Sequence, residues 1–453
     1  MILHIQWLLA LFSLFKCCNC FNFQRVGKIL NIKRQQNLGA TTTTTTIERN
    51  TDSKTVTSSS DDDFFDADVG IIGAGPAGLA LSHALLNRGY KVKVFERRTS
   101  FRPVGAAVFM YPLALNALRE VSPILEEKLR SVSTPIRKIS LTSIVDETLD
   151  VGTDRLDEAT EVFGSPFVSV KFWDMLCALR EGLPDEIFHF GHEMVEFQHM
   201  PDDDGDHDNK GGVLLQFRQT KDGSNDDDEE QSITTKAKVK VLIDAAGIRS
   251  KTRQQLVGDK PIPRLRATFA VAPKDGIKKT IGIGANGDRQ LSFLVGDGVA
   301  VTTASLANGD VWWTQTRYDD DPTAPIPTGN EQSLRDRLKE RFEPWPQEIK
   351  GLVEATDSKD VIECTIAELP VSFRWGERDV TLLGDSAHAQ LPALGLGIST
   401  AFSDVSELCK QIDKFGLNRK ALRWYEAVRV PQTAFLQLAS RMAYFANIYL
   451  GNK

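Results

Sequence analysis

The sequence predicts an α/β fold: a Rossmann-like dinucleotide-binding domain, an antiparallel-sheet substrate domain interleaved with it, and closing C-terminal helices. Three observations carry this. The first is a strand–turn–helix–strand unit near Asp66, with Gly73-Ala74-Gly75-Pro76-Ala77-Gly78 at its turn. The second is a late apolar strand that delivers Asp385 and runs on into a glycine-rich turn. The third is a set of β-rich, glycine-punctuated runs between residues 266 and 316.

In the first unit, Val69–Ile72 reads as a short buried strand, Ala77–Arg88 as a helix and Lys91–Phe95 as the next strand. The glycine spacing has a physical purpose. Gly73 permits the tight turn, Gly75 lets backbone N–H groups approach a pyrophosphate, and Gly78 lets helix and strand pack closely. Pro76 and Ala77 complete the turn at the helix N-terminus, where unpaired N–H groups and the helix dipole favour negative charge. Glu96, 18 residues after Gly78, closes the second strand where a carboxylate can hold two ribose hydroxyls, and Arg97 follows it.

In the late segment, Val380–Leu383 reads as a core strand leading to Gly384-Asp385, and Pro392, Gly395 and Gly397 shape the turn that follows. Ligands of open α/β sheets bind at strand C-terminal ends, which places Asp385 in the site. Between the two anchors, Ala106–Leu118 mixes small and apolar residues leading into a helix, Ile139–Ile144 reads as a strand and Phe172–Leu183 as a helix. Glu186–Gln198, Gly212–Gln219 and Ile233–Ile243 read as a strand entering the sheet followed by a β-meander. Arg266–Ala272, Gln290–Val295, Val299–Leu306 and Asp310–Thr316 form the antiparallel sheet. Ser333–Phe342, Thr400–Ile412 and Arg419–Leu450 read as helices.

A net charge of −7 and a pI near 5.7 argue against a nucleic-acid partner. The acid is concentrated in Pro201–Asp208 and Asp222–Glu230, read as solvated loop tips because EF-hand ligand spacing is absent. No metal is expected. Outside residues 1–60 only Cys177, Cys364 and Cys409 remain, without a C-x-x-C pair. Residues 1–60 read as a presequence: an apolar run at Leu8–Phe15, then Arg25, Lys28, Lys33, Arg34 and a Thr/Ser-rich, acid-poor stretch. Signal-like and transit-like parts in succession predict plastid targeting, with the secretory pathway as the alternative.

The segment Leu382-Leu383-Gly384-Asp385-Ser386-Ala387-His388, with Pro392, Gly395 and Gly397 after it, resembles the FAD-dependent aromatic-hydroxylase family of flavin monooxygenases. That group contains para-hydroxybenzoate hydroxylase and zeaxanthin epoxidase. Arg102-Pro103-Val104-Gly105 resembles the family's Arg-x-x-Gly segment, and the likeness spans about Asp66 to Arg441. It implies that residues 66–260, with a strand excursion near 135–150, and 378–453 form an FAD-binding domain around a substrate domain at 261–370. It implies that Asp385 holds the ribityl hydroxyls, that Pro392, Gly395 and Gly397 line the isoalloxazine, that Arg102 contacts the cofactor, and that Phe269, Phe293, Trp312 and Trp313 roof a substrate slot. The implied activity is a monooxygenase: NADPH or NADH reduces FAD, a C4a-hydroperoxide forms with dioxygen, and one oxygen atom enters a small aromatic or lipophilic isoprenoid substrate.

Three positions depart from the family pattern. In Asp244-Ala245-Ala246-Gly247-Ile248-Arg249-Ser250, Gly247 matches a cofactor-contacting position, but Ala246 stands where the family has Asp. Asp244, on the same strand face two residues earlier, is the candidate substitute. Trp173 replaces an Arg, and Glu368-Leu369-Pro370 replaces Asp-Arg-x-Pro. A flavin-binding protein without turnover and a geranylgeranyl-type FAD reductase are the alternative functions. A halogenase is disfavoured, since W-x-W-x-I-P is absent. No substrate base is assigned, and His388 is read as structural. Ala434–Leu450 is apolar enough to suggest peripheral membrane contact.

Overall fold

The computed structural model describes residues 65–451 apart from 104, 145–149, 154–155, 203–210, 221–234, 278–288, 297, 318–320 and 327–330. The presequence and nearly all of both acidic runs lie outside the described residues.

An eight-stranded sheet carries the cofactor half. Its parallel core runs Val380–Leu382, Thr235–Asp244, Ala67–Ile72, Val92–Glu96, Phe188–Phe190. These strands are buried on both faces, which is why they read as unbroken apolar runs (Val69, Ile71, Val94, Ile243 and Leu382 are sealed from solvent). His192–His199 and Val213–Gln219 extend the sheet antiparallel through Thr235–Asp244, the expected meander. The run read as one strand, Glu186–Gln198, is two: Gly191, with φ +70°, breaks it so that Phe188–Phe190 can pair parallel with Val92–Glu96.

The second sheet has seven strands in the order Ile362–Glu368, Ile262–Ala272, Val311–Arg317, Val299–Ser305, Gln290–Gly296, Lys138–Ser143, Asp150–Thr153. It is antiparallel except where Lys138–Ser143 runs parallel to Gln290–Gly296. The strand near residue 140, with Asp150–Thr153 paired beside it, thus joins a sheet whose other members lie more than a hundred residues away. Ile362–Glu368 was not anticipated, and neither was the Gln347–Ala355 helix, which packs with Glu331–Arg341 against Trp313 and Val311.

Ala106–Leu118 leads into its helix through a strand, Ala107–Met110, that was not anticipated, and becomes helical at Pro112 (Pro112–Val121). Pro112 supplies the first-turn φ of a helix but bars helical geometry at Tyr111, which is extended at ψ 157°. The strand pairs with Phe167–Lys171 in a small third sheet that also holds Thr134–Ile136. The Arg419–Gly451 helix closes the chain and keeps Pro431 inside it.

Candidate active site

The parallel strands end level with one another. Ile72 pairs with Phe95 and Asp244, and Asp244 with Leu382. The turn after each strand therefore opens at the same sheet edge: Gly73–Gly78, Glu96–Arg98, Ala245–Gly247 and Gly384–Asp385. Ala245 N–H donates to Ile72 O at 2.8 Å, and Leu383 N–H to Asp244 O at 2.9 Å.

Each glycine of the first turn has its own constraint. Gly73 sits at φ +100°, and a Cβ there would lie 2.6 Å from Ala245 O. A Cβ on Gly78 would lie 2.1 Å from Gly73 O, so helix and strand approach only without a side chain. Around Gly75 there is nothing within 4 Å of such a Cβ, and the same holds at Gly247. Two glycines are held by the fold and two border open space, which suits a ligand lying along the backbone. Pro76 starts the Pro76–Leu86 helix, and Ala77 is buried behind it.

Glu96 is fixed by two backbone donors. Ala74 N–H binds one carboxylate oxygen at 2.9 Å and Arg98 N–H the other at 2.9 Å. Each oxygen keeps an acceptor site for a sugar hydroxyl. Arg97 and Arg102 are exposed, and neither side chain has a hydrogen-bond partner among the described residues.

Asp385 is exposed, yet burial is the largest influence on its carboxyl and raises its pKa; His388 opposes this and Asp404 adds to it. The carboxyl sits where water reaches it while the surrounding protein displaces most of its hydration. No described side chain or backbone N–H hydrogen-bonds it. Its Oδ1 lies 4.0 Å from the Cβ position of Gly397, where the Gly397–Phe415 helix begins. Pro392 starts a 3-10 turn ended by Gly395 at φ +63°, and Phe109 and Tyr111 come within 3.7 and 3.9 Å of the Gly395 Cβ position. Tyr111 Oη donates to Leu394 O at 2.8 Å, and burial pushes its pKa up to about 12.

A buried brace holds this turn. Asp404, fully enclosed, accepts from Gly384 N–H at 3.0 Å and Arg429 Nε at 2.7 Å, and meets His388 Nε2 at 2.6 Å. Burial alone would raise the Asp404 pKa, but His388 and Arg429 outweigh it and the carboxyl is held low. His388 is thus a structural partner. Asp404 and Arg429 were not singled out from sequence, since a helical Asp reads as a solvated face.

The departures resolve differently. Ala246 is exposed at the sheet edge. Asp244 does not replace the missing carboxylate: it is fully buried, accepting from Ala246 N–H at 3.0 Å and from the Thr252 hydroxyl at 2.5 Å. Its side chain ties the strand to the Lys251–Val257 helix. Arg253, equally buried, chelates Asp259 at 2.6–2.7 Å and donates to Pro370 O at 2.8 Å and to Ala387 O. Trp173 packs on Phe101, ring centroids 4.9 Å apart. Glu368 is buried between Arg264 at 2.7 Å and Arg441 at 3.0 Å, pinning the C-terminal helix to the second sheet. Among the described residues no cluster could hold a metal ion.

The second sheet supplies an aromatic wall. Phe269, Phe293 and Trp312 pack with Phe109, Tyr111 and Phe167. Trp313, expected beside Trp312, faces the opposite way and donates from Nε1 to Thr356 Oγ1 at 2.9 Å. Strand alternation separates neighbours that composition had grouped.

Residues 66–430 match the family model described as FAD binding domain. The chain belongs to that family. It is 26% identical over 378 residues to a 3-amino-4-hydroxybenzoate 2-monooxygenase of Streptomyces cremeus, covering 83% of this chain and 86% of the relative. A chloroplastic zeaxanthin epoxidase of Nicotiana plumbaginifolia is 29% identical over 217 residues, 45% of this chain and 31% of the epoxidase. The crystal structure of Klebsiella pneumoniae HpxO with FAD and uric acid shares the fold, with a TM-score of 0.66 and 22% identity over 83% of this chain and 87% of that one. The protein is an FAD-dependent monooxygenase of the aromatic-hydroxylase type, and the open glycines, the unpartnered Asp385 and the anchored Glu96 fit that cofactor.

Proposed function

We propose that the protein uses NADPH or NADH and dioxygen to insert one oxygen atom into a small aromatic or isoprenoid molecule. The observation that carries this is the junction at Gly395, where the cofactor turn touches Phe109 and Tyr111 and they in turn join the aromatic wall. Bound FAD would supply the electron transfer and the activation of dioxygen. Glu96 would hold its ribose and Asp385 its ribityl hydroxyls. The Gly73–Gly78 turn would take the pyrophosphate, and Pro392, Gly395 and Gly397 would border the ring. The aromatic wall would orient the substrate and exclude water.

The decisive experiment is anaerobic reduction of the flavin-loaded chain by NADPH, with and without a plastid pigment extract. Bleaching of the flavin, accelerated by the extract, is expected. A yellow protein that stays oxidised in every mixture would instead favour a flavin-binding role without turnover, the reading that Ala246 motivates.

Plastid import through residues 1–60 belongs to the same proposal; a fluorescent protein carrying those residues should enter plastids, and its secretion would refute this. Peripheral membrane contact is the remaining part. No described helix is long and apolar enough to cross a membrane. The Arg419–Gly451 helix, however, exposes Phe435, Leu438, Met442 and Phe445 at helical spacing, a stripe that could lie in a lipid surface. The full chain should float with phosphatidylcholine vesicles, and Leu438→Ser with Met442→Ser should abolish this.

A further inference from the structure

The wall of the second sheet holds two polar groups that have nothing to bond among the described residues. Side chains alternate along Val311–Arg317. Trp313 faces the Glu331–Arg341 and Gln347–Ala355 helices, packing against Phe342. Trp312 and Thr314 therefore face the other way, onto the side that carries Phe269, Leu291 and Phe293. Trp312 is 6% and Thr314 7% exposed, and neither Trp312 Nε1 nor Thr314 Oγ1 has a hydrogen-bond partner among the described residues. Thr268, Thr303 and Gln315 also hold unpaired groups, but on the helix-covered face. Thr314 lies directly across from Phe269 on one side and Thr302 on the other. Stripping a donor of water without replacing its partner costs free energy, so a pair of such donors beside a ligand cleft marks where a ligand acceptor belongs.

Charge narrows the ligand. From Leu265 onward, none of the cleft-facing positions on the five strands from Ile262–Ala272 to Lys138–Ser143 is Lys, Arg, Asp or Glu. Phe109, Tyr111 and Phe167 on the facing side are uncharged as well. The sixth strand, Ile362–Glu368, adds Glu368 on that face, and the cations beside it, Arg264 and Arg441, are paired with it. A carboxylate entering between these walls would lose its hydration and meet no unpaired cation among the described residues. A neutral ring bearing one oxygen acceptor would lose little and would satisfy the two donors.

We infer that Trp312 and Thr314 are specificity-determining residues that donate hydrogen bonds to a carbonyl-type oxygen on an uncharged aromatic or alicyclic substrate, and that the surrounding wall rejects carboxylates. This rests on the monooxygenase reading above and names its substrate class.

The test titrates the FAD-loaded full chain with 4-hydroxyacetophenone, 4-ethylphenol and 4-hydroxybenzoate, following the flavin absorbance. The ketone should bind about 10-fold more tightly than either of the others, the worth of one or two buried hydrogen bonds. Thr314→Val should weaken the ketone about 10-fold while leaving 4-ethylphenol within about twofold. Flavin content and Tm should be unchanged or higher, because an unpaired hydroxyl is removed. Trp312→Phe should act in the same direction and carries the test if Thr314→Val folds poorly. Tighter binding of 4-hydroxybenzoate would overturn the proposal. So would an unchanged preference in both variants, or no saturable change with the ketone up to about 10 mM. Flavin content and NADPH oxidation, read on the same samples, separate the two failures. A chain that binds no FAD or is never reduced defeats the monooxygenase reading, whereas one that is reduced yet prefers 4-hydroxybenzoate defeats only this inference.

Discussion

The two sheets of this protein present different kinds of surface. At the edge of the first, backbone does the work: glycines bordering open space, N–H groups at a helix start, and a carboxylate oriented by two main-chain donors. On the second, side chains form the surface, and the same strand sends Trp312 toward the cleft and Trp313 into a helix-covered core. A backbone site tolerates few substitutions and leaves a rigid glycine signature. A side-chain wall can change its specificity one residue at a time without moving a strand.

The largest test of that contrast lies inside the glycine turn. Gly78→Ala puts a Cβ 2.1 Å from Gly73 O, so the strand–helix unit must spread. A loss of about 3 kcal/mol is expected in chemical unfolding of the apoprotein, with little flavin retained. Gly75→Ala meets nothing within 4 Å. It should unfold like the parent and yet bind FAD weakly. Equal effects from the two glycines would break the distinction between fold-held and ligand-facing positions.

Next in size is a pH effect behind the cofactor sheet. Glu426 accepts from Thr381 Oγ1 at 2.6 Å and Arg423 at 2.7 Å, yet burial dominates and pushes its pKa up to about 7, against the pull of Arg423. In the unfolded chain the carboxyl loses its proton near pH 4.5; in the folded one, near 7. The penalty is absent at low pH, grows through that window and is complete above it, reaching about 2–3 kcal/mol. Glu426→Gln should flatten the dependence of Tm on pH between 5 and 7. A parallel curve would show that Arg423 already keeps the carboxylate ionised.

Glu96→Gln should raise the Kd for FAD about 10-fold, since one of two anchored acceptors is lost, while the apoprotein Tm barely moves. Isothermal titration with FAD reads this directly. The smallest expected effect sharpens the other side of the comparison. Phe293→Ala should leave FAD affinity within about twofold, because the wall does not hold the cofactor. What should change is the fraction of NADPH oxidation that yields product.

The cofactor edge was legible in sequence because its requirements fall on short, contiguous stretches. Gly73, Gly75, Gly78 and Glu96 lie within one strand–helix–strand unit, and Asp385 to Gly397 within another. The brace behind it was not legible, since Asp404, His388 and Arg429 meet only when two long helices pack with the Asp385–His388 turn. Asp244 shows the limit of strand parity. The strand ends at Asp244, so Ala246 lies in the turn beyond it, exposed while Asp244 is sealed from solvent, and parity gives no warning that Thr252 and a backbone N–H would claim the carboxylate inside the fold.

The sequence by itself determined which glycine turns and which carboxylate close the strands of the cofactor edge, because glycine conformational freedom and strand-end carboxylates are local properties of the chain. Only the tertiary structure decided which aromatics face the cleft. It brought Lys138–Ser143 beside Gln290–Gly296, turned Trp313 away from Trp312, and left the Thr314 hydroxyl without a partner among the described residues. Those outcomes depend on which strands pair and which face a helix covers, and no short stretch of sequence encodes that choice.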